Sequence, residues 1–433
     1  MEQVTPGGTV TSKSQGVWAS TDFRHLWSAS TISQFGSNIG ELALPLLAII
    51  TMSASPAQVG LLRTAQFLPF LLLTLPLGVA VDRLAKRPLM LLADLGRCVL
   101  VGAIPILVWV GIRDIRAIYT LVFLTGCLTV LYQLADFALL PSLVSEDLII
   151  EANGKLLATA SASEIAGTGL GGVIVDVFTA PIAVLADSVT YLFSAIGLWR
   201  ISARETIDTT PSPTSAFHDA RQGLVVALRN PYIRPLLGEA TTFNFFDQFF
   251  IVGLLLVAVR HIGLGAASIG AVFVAGGIGS LVGAWFGARV TGRFGYGRVL
   301  LVTMLIGNGA PVAVIFLGDD PRSAMLLLSP TFLLVGLGTG IANVHGISLR
   351  QTAIPADLRG RVNAGYRLLS WGAVPLGASL AGMTAGRFGA NTAMVLGALG
   401  IALSTLWVAA STIPTLTSIE GARATTPDTV RDP

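Results

Sequence analysis

The sequence predicts an all-helical membrane protein whose twelve transmembrane helices form two pseudo-symmetric bundles of six. Three observations carry this expectation. Of 433 residues, 53% are hydrophobic and only 12% charged, where a soluble chain has about 45–50% and about 25%. So little charge cannot clothe a soluble surface, which excludes a soluble enzyme, a disordered chain and a nucleic-acid binder. The apolar residues also gather into twelve runs of the length a bilayer demands, about 20 residues each. Finally, the two sets of six runs repeat one another at a fixed spacing.

The first six runs cover 26–51, 58–80, 88–110, 116–140, 153–177 and 181–201. The second six cover 233–258, 266–288, 298–317, 323–347, 362–385 and 390–412. Lipid offers no partner to backbone N–H and C=O groups, so each run must close its hydrogen bonds internally as a helix. The expected organisation is a tail over 1–25, a bundle over 26–201, a connector over 202–232, a second bundle over 233–413 and a tail over 414–433. The connector opens with the Pro/Ser/Thr linker TIDTTPSPTS. FHDARQGLVVALRNP follows and patterns as an amphipathic surface helix. The N-terminal segment and the stretch after Pro414 read as disordered. The first apolar run is too long for a signal peptide and lacks a cleavage pattern.

Lysines and arginines orient the chain. With the N-terminus in the cytoplasm, twenty fall in cytoplasmic segments and five, Arg113, Arg116, Arg260, Arg322 and Arg387, in outer loops. That bias is the positive-inside pattern and places both termini in the cytoplasm. The net charge of +3 thus reports topology rather than a polyanionic partner. Cys98 and Cys127 lie in apolar runs, and His25, His218, His261 and His345 have no metal-ligand spacing. No metal or cofactor is expected. A G-x-x-x-x-G-K-[ST] loop, a Ser/His/Asp set and H-E-x-x-H are all missing from the sequence, so neither ATP hydrolysis nor hydrolytic catalysis is expected.

The repeat is visible residue by residue. Asp147-Leu148 matches Asp357-Leu358, Asn153 matches Asn363, Gly167 matches Gly377, Gly172 matches Gly382, Phe178 matches Phe388 and Arg83 matches Arg293, all at an offset of 210. Such a shared register implies duplication. Parallel six-helix repeats place a substrate site between the halves, near the membrane midplane.

Polar residues inside the spans mark the candidate site, because ionisable groups in lipid are costly and by default line a pathway. Gln34, Asn38 and Glu41 share one face of span one at i, i+4 and i+7. Thr241, Asn244, Asp247 and Gln248 share a face of span seven, ringed by Phe243, Phe245, Phe246, Phe249 and Phe250. These seven polar residues are the substrate-binding candidates. An acidic cavity with aromatic walls suits a lipophilic cation, although the phenylalanines also fit plain core packing. Glu41, Asp247, Glu164 and Asp187 are the proton-coupling candidates: a low dielectric favours a protonated carboxyl, and a cation can displace that proton. Asp94 and Arg97, at i and i+3, make a ready ion pair. Arg63 also falls inside a span.

Two glycine motifs have competing readings. Gly167-x-Gly169-x-x-Gly172 has the dinucleotide-fingerprint spacing, but no strand precedes it and no βαβ unit surrounds it. Gly279, Gly283 and Gly287 repeat at four-residue spacing, which lets helices approach closely.

The loop after span two reads GVAVDRLAKRP. It resembles the signature G-x-x-x-D-[RK]-x-G-[RK]-[RK] of the major facilitator superfamily at Gly78, Asp82, Arg83, Lys86 and Arg87, with Ala85 in place of a glycine. The corresponding loop of the second half, GARVTGRFGYGR, has Gly292 in the Asp position. LPSLVSEDLIIEAN, AGTGLGGVIVDVFTAPIAVLADSVTYLFSAIGL and SLRQTAIPADLRGRVNAGYRLLSWGAVPLGASLAG look like the superfamily's drug-efflux and siderophore-secretion branch. That branch includes enterobactin-exporter-like and macrolide-efflux-like bacterial proteins.

The resemblance implies the superfamily fold. It also implies a monomeric secondary carrier in the bacterial cytoplasmic membrane, with protons and a small lipophilic molecule as partners, working as an antiporter by alternating access. Import or uniport of a metabolite on the same scaffold stays open, as does a channel or sensor. It further implies that Asp82 is a latch facing the N-terminus of span eleven, near Arg361. A carboxylate there contributes about 0.3–1 kcal/mol. Arg83, Lys86 and Arg87 are expected to pair with Asp136. Gly167, Gly171 and Gly172 resemble the superfamily's antiporter motif, with Thr168 where a proline would stand.

Overall fold

The computed structural model describes residues 16–112, 114–202, 216–355 and 358–424. Its long helices are α1 (Thr21–Leu46), α2 (Pro56–Arg83), α3 (Lys86–Trp109), α4 (Ile115–Leu139), α5 (Ile149–Val177) and α6 (Ala180–Trp199), then, after α7 (Ala216–Arg229), α8 (Ile233–Val257), α9 (Ala266–Phe294), α10 (Tyr296–Gly309), α11 (Pro321–Ala353), α12 (Arg359–Phe388) and α13 (Ala390–Ser404). A 3-10 stretch, Ala310–Phe316, extends α10; α14 (Leu406–Ala409) extends α13; α15 (Gly421–Ala424) comes last. Each of the twelve predicted runs falls on one long helix. Ten of these helices are apolar enough to cross a membrane by length and composition; α1 and α5 are not among them. Both carry polar residues toward the centre of the molecule.

The duplication recurs in three dimensions. In the first half α1 packs on α5 and α6, α2 on α4, and α3 on α4 and α6. In the second, α8 packs on α12 and α13, α9 on α11, and α10 on α11 and α13. The backbone repeats too. Both α1 and α8 run into a π turn, Leu47–Thr51 and Ala258–Ile262. Each is followed by a left-handed residue, Ser53 at φ 53° and Gly263 at φ 72°. Serine takes there a conformation that glycine adopts without steric cost. Ala54 N–H donates to Ala48 O, and Leu264 N–H to Ala258 O, both at 2.8 Å.

Three buried apolar clusters show how the halves meet. One spans both halves, from Leu46, Leu62 and Ile104 to Leu254, Phe332 and Met394. All of these lie toward the end opposite α7. The other two are confined to one half each, around Phe23, Met90 and Leu198 and around Leu237, Leu300 and Val362, both toward the α7 end. The halves thus share a core at one end and part toward the other.

Glycines make the shared end possible. A Cβ on Gly60 of α2 would lie 2.7 Å from Gly382 Cα of α12, and one on Gly172 of α5 would lie 3.1 Å from Gly270 Cα of α9. These are one contact made twice, since 60 and 270, and 172 and 382, each differ by 210. Further along the same helix faces, Gly78 and Gly154 have nothing within 4 Å.

The two seams differ in their caps. Ser55 caps α2 with its own hydroxyl, in a capping box with Gln58. The N-cap of α9 is Gly265, which has no side chain. The cap comes from the other half: Asp176 of α5 accepts from Ala266 N–H at 2.7 Å and Ala267 N–H at 3.1 Å. Arg260 donates to Ala54 O across the same end.

At the α7 end, α7 docks on α12. Gly223 and Gly365 let the two backbones touch, and Arg361 reaches Asp219 at 3.1 Å and Gln222 at 3.0 Å. α7 falls on the stretch FHDARQGLVVALRNP of the connector, whereas the Pro/Ser/Thr linker lies outside the described residues. One expectation is corrected: residues 415–424, read as disordered, pack onto the second half. Leu416 O and Thr417 O accept from Gly297 N–H (2.9 Å) and Tyr296 N–H (3.2 Å) at the start of α10, and Ile413 and Ala422 are fully buried. The first N–H groups of a helix need acceptors, and Gly297 leaves room for the chain to supply them.

Asp176→Ala removes a helix cap and a tie between halves together. Loss of a cap costs about 1 kcal/mol, roughly a fivefold shift in a two-state population. Spin labels at Ile112 and Phe316, both exposed at the shared end, are expected to show a larger long-distance fraction in this variant. An unchanged distance distribution counts against Asp176 as a tie.

Candidate functional site

Polar faces of α1, α5 and α8 converge at mid-depth on a cavity of about 770 Å³. A second cavity of about 370 Å³ extends it toward α9 and α11. Asn38, Glu41, Arg63, Ser161, Glu164 and Asp247 line both, so they mark the junction. Each cavity by itself falls within the roughly 300–1,000 Å³ of small-molecule sites.

The stripe on α1 is held by glycines on its opposite face. A Cβ on Gly36 would strike Thr190, and one on Gly40 would lie 2.2 Å from Asp187 Oδ2, so α6 comes in close. Gln34, Asn38 and Glu41 all line the larger cavity, and Asn38 Nδ2 donates to Gln34 O at 2.8 Å. Glu41 is half exposed to it, with Arg63 at 3.5 Å. On α8, Asn244, Asp247 and Gln248 line the cavity. Asn244 Nδ2 donates to Ser370 O of α12 at 2.9 Å. Thr241 is not in the lining and instead donates to Leu237 O of its own helix.

The aromatic wall is not the one the sequence pointed to. Phe243, Phe245, Phe246, Phe249 and Phe250 line neither cavity. They pack into the second half, Phe246 against Gly400 and Phe250 beside Phe332. The walls are Phe67 and Phe70 of α2 with Trp371 of α12, the last two stacked at 6.0 Å. Phe273 and Phe332 wall the smaller cavity. The i, i+3/i+4 spacing of the α8 rings turns them toward α12 and α13.

The acids divide by surroundings. Glu164 faces both cavities. Asp187 is buried at 5% exposure on the wall of the larger one, and its Oδ1 has no hydrogen-bond partner among the described residues. Asp94 and Arg97 pair as their spacing predicts, both almost fully buried. Tyr132 and Tyr191 sandwich the guanidinium, each ring centroid 4.3 Å from its carbon. Neither tyrosine was singled out from the sequence.

Gly78, Arg83, Lys86 and Arg87 of the loop signature line neither cavity. Arg83 is exposed, and the Asp82 side chain lies outside the described residues. Arg87 donates to Leu198 O at 3.0 Å and to Trp199 O, satisfying the end of α6. Lys86 is half-buried. The expected pairing of these cations with Asp136 is therefore corrected: Asp136 faces the cavity and accepts from Ser30 Oγ at 3.2 Å. The glycines of the antiporter-like motif are contact points. A Cβ would lie 2.7 Å from Phe35 O at Gly167, 3.1 Å from Ile39 Cα at Gly171 and 2.5 Å from Ala266 O at Gly172. Gly279 and Gly283 seat α9 on α11 in the same way.

Arg63 is the residue sequence reading passed over. In the sequence it stands only as a cation inside an apolar run. Arg63 is buried, sits 5.0 Å from the Phe67 ring centroid, and donates through Nε to Gln248 Oε1 of the other half at 3.3 Å.

Residues 16–430 match the family described as transmembrane secretion effector. The chain is similar to the uncharacterized MFS-type transporter YfiS of Bacillus subtilis, at 25% identity over 86% of this chain and 88% of that one. It is also similar to the multidrug efflux pump Tap of Mycolicibacterium fortuitum, at 26% identity over 89% and 94%. Among solved structures, the nucleoside transporter NupG superposes with a TM-score of 0.73 at 9% identity, covering 90% of this chain and 99% of that one. A bacterial metal transporter gives 0.61 at 16%, covering 90% and 98%. These structures share the fold.

Breaking the Asp94–Arg97 pair from one side strands a buried charge, at a cost of about 3–5 kcal/mol. Arg97→Met is expected to lower the melting temperature of the purified protein well below that of the double variant Asp94→Leu/Arg97→Met. Equal melting temperatures contradict a buried pair.

Proposed function

We propose, from the premise that the chain belongs to the transmembrane secretion effector family of major facilitator transporters, that it exports lipophilic cationic small molecules in exchange for protons. The observation that carries this is the junction of the two cavities, where Glu41, Glu164 and Asp247 share the lining and Arg63 is the one cation among the described residues that line both. An acidic site bounded by Phe67, Phe70 and Trp371 attracts a cation by charge and by ring faces, and accommodates its apolar body by burial. Among the lipophilic small molecules the sequence resemblance implies (antibiotics, siderophores and other secondary metabolites), those that carry a basic amine are of that kind. The efflux activity in the name of Tap supports this direction.

Alternating access would follow from the packing. In the described conformation the shared end is closed and the α7 end parted. With the termini in the cytoplasm, this is the state that loads from the cytoplasm. Rocking the halves would separate Gly60 from Gly382 and Gly172 from Gly270, release the Asp176 cap, and bring Asp82 toward the N-terminus of α12. Closure from that side would carry the ligand outward. A proton arriving on Glu41, Asp247, Glu164 or Asp187 would lower the site's affinity for a cation, since each neutralised acid removes an attraction. Gln34, Asn38, Asn244 and Gln248 would orient the ligand's polar groups.

Everted membrane vesicles with an acidic lumen test this reading. The wild-type protein is expected to accumulate ethidium, and Glu41→Gln to slow gradient-driven accumulation by about tenfold or more at equal expression. Undiminished transport in Glu41→Gln, Asp247→Asn and Glu164→Gln alike contradicts acid-coupled exchange. Movement indifferent to the pH gradient supports uniport instead.

A further inference from the structure

We propose that Arg63 is a built-in stand-in for the cationic ligand, and that displacing it from Glu41 loosens a bridge between the two halves. This rests on the cationic reading above. The surroundings of the Arg63 guanidinium are those a lipophilic cation needs: a carboxylate at 3.5 Å (Glu41) and an aromatic face at 5.0 Å (Phe67). The position is also the one where the two cavities join.

The attachment to Glu41 is suited to exchange. An optimal charge-assisted N–H···O contact is about 2.7–2.9 Å long, so the 3.5 Å pair is loose. The partners are also unequal. Arg63 is 7% exposed and Glu41 51% exposed, so an entering cation reaches the carboxylate without first moving the guanidinium.

The second attachment makes the exchange consequential. Arg63, on α2, donates through Nε to Gln248 of α8 at 3.3 Å, and Gln248 donates through Nε2 to Asp247 at 3.2 Å. The chain Glu41–Arg63–Gln248–Asp247 therefore crosses from one half to the other at mid-depth. A cation that takes Glu41 leaves Arg63 with one anchor in place of two, and a guanidinium released toward Asp247 disrupts its bond to Gln248. Ligand entry is thereby tied to a contact that must change when the halves rock.

The test measures binding and turnover together, because a merely structural arginine lowers both. The probe is tetraphenylphosphonium, a lipophilic cation, with equilibrium binding on purified protein and counterflow in proteoliposomes. Arg63→Gln removes the internal competitor and keeps a hydrogen-bonding side chain. It is expected to bind the probe about tenfold tighter (~1.4 kcal/mol) while counterflow turnover falls by a similar factor. Arg63→Lys keeps the charge but cannot fork to two partners. It is expected to hold wild-type affinity and lose turnover. Unchanged or weaker binding by Arg63→Gln, with the wild type binding normally, overturns the proposal and leaves the cationic reading intact. A wild-type protein that binds no lipophilic cation overturns both. Should Arg63→Gln not purify, full turnover in Arg63→Lys overturns the bridge.

Discussion

The rest of the structure depends on how the two halves share their apolar core. Helices in a bilayer gain little from burying apolar surface against one another, because lipid is equally apolar, so close packing must hold them together. The glycine pairs Gly60–Gly382 and Gly172–Gly270 supply that packing at one end. Around them Leu46, Leu254 and Met394 join one cluster across both halves. Toward the other end the clusters separate, and the wedge of space between them holds the polar residues of α1, α5 and α8. A polar side chain on these helices has either this wedge or hydrocarbon to face, and hydrocarbon costs far more.

Symmetry sets the shape and its breaking sets the chemistry. The bonds that close the π turns (54 to 48 and 264 to 258), the left-handed residues 53 and 263, and the glycine seams all obey the offset of 210. The charges do not. Asp176 caps α9 across the interface, while the equivalent position on α12 is Gly386 and α2 is capped by its own Ser55. The Asp94–Arg97 pair between two tyrosines has Met304 and Gly307 at the equivalent positions. There Asn308 instead donates to Glu239, Ser404 and Thr405. Two like scaffolds thus carry unlike polar interiors, with most of the cavity acids on the first.

Much of the fold was legible because length and hydropathy act along the chain. The twelve runs, α7 and the repeat needed no knowledge of contacts. The polar stripe of α1 was legible because a helical face is a local property, and the Asp94–Arg97 pair because its partners sit one turn apart. The site resisted wherever partners come from different helices. The α8 phenylalanines looked like a wall, yet Gly397 and Gly400 on α13 make room for them as core. Asp136 looked available to the loop cations, but Ser30 of α1 and the α6 carbonyls claim the two sides of that expected pair. Arg63 announced itself only as a charge in the wrong solvent, since Glu41 and Gln248 lie 22 and 185 residues away.

The most direct test is side-specific labelling of the wedge. Single cysteines at Asn38 and Ser161, in a protein with Cys98 and Cys127 replaced, are exposed to a membrane-impermeant maleimide in sealed vesicles of known orientation. The account predicts reaction from the side that carries the termini, and little from the other while the glycine seams are closed. Equal reaction from both sides, or protection from both with reaction only by a lipid-soluble reagent, contradicts it.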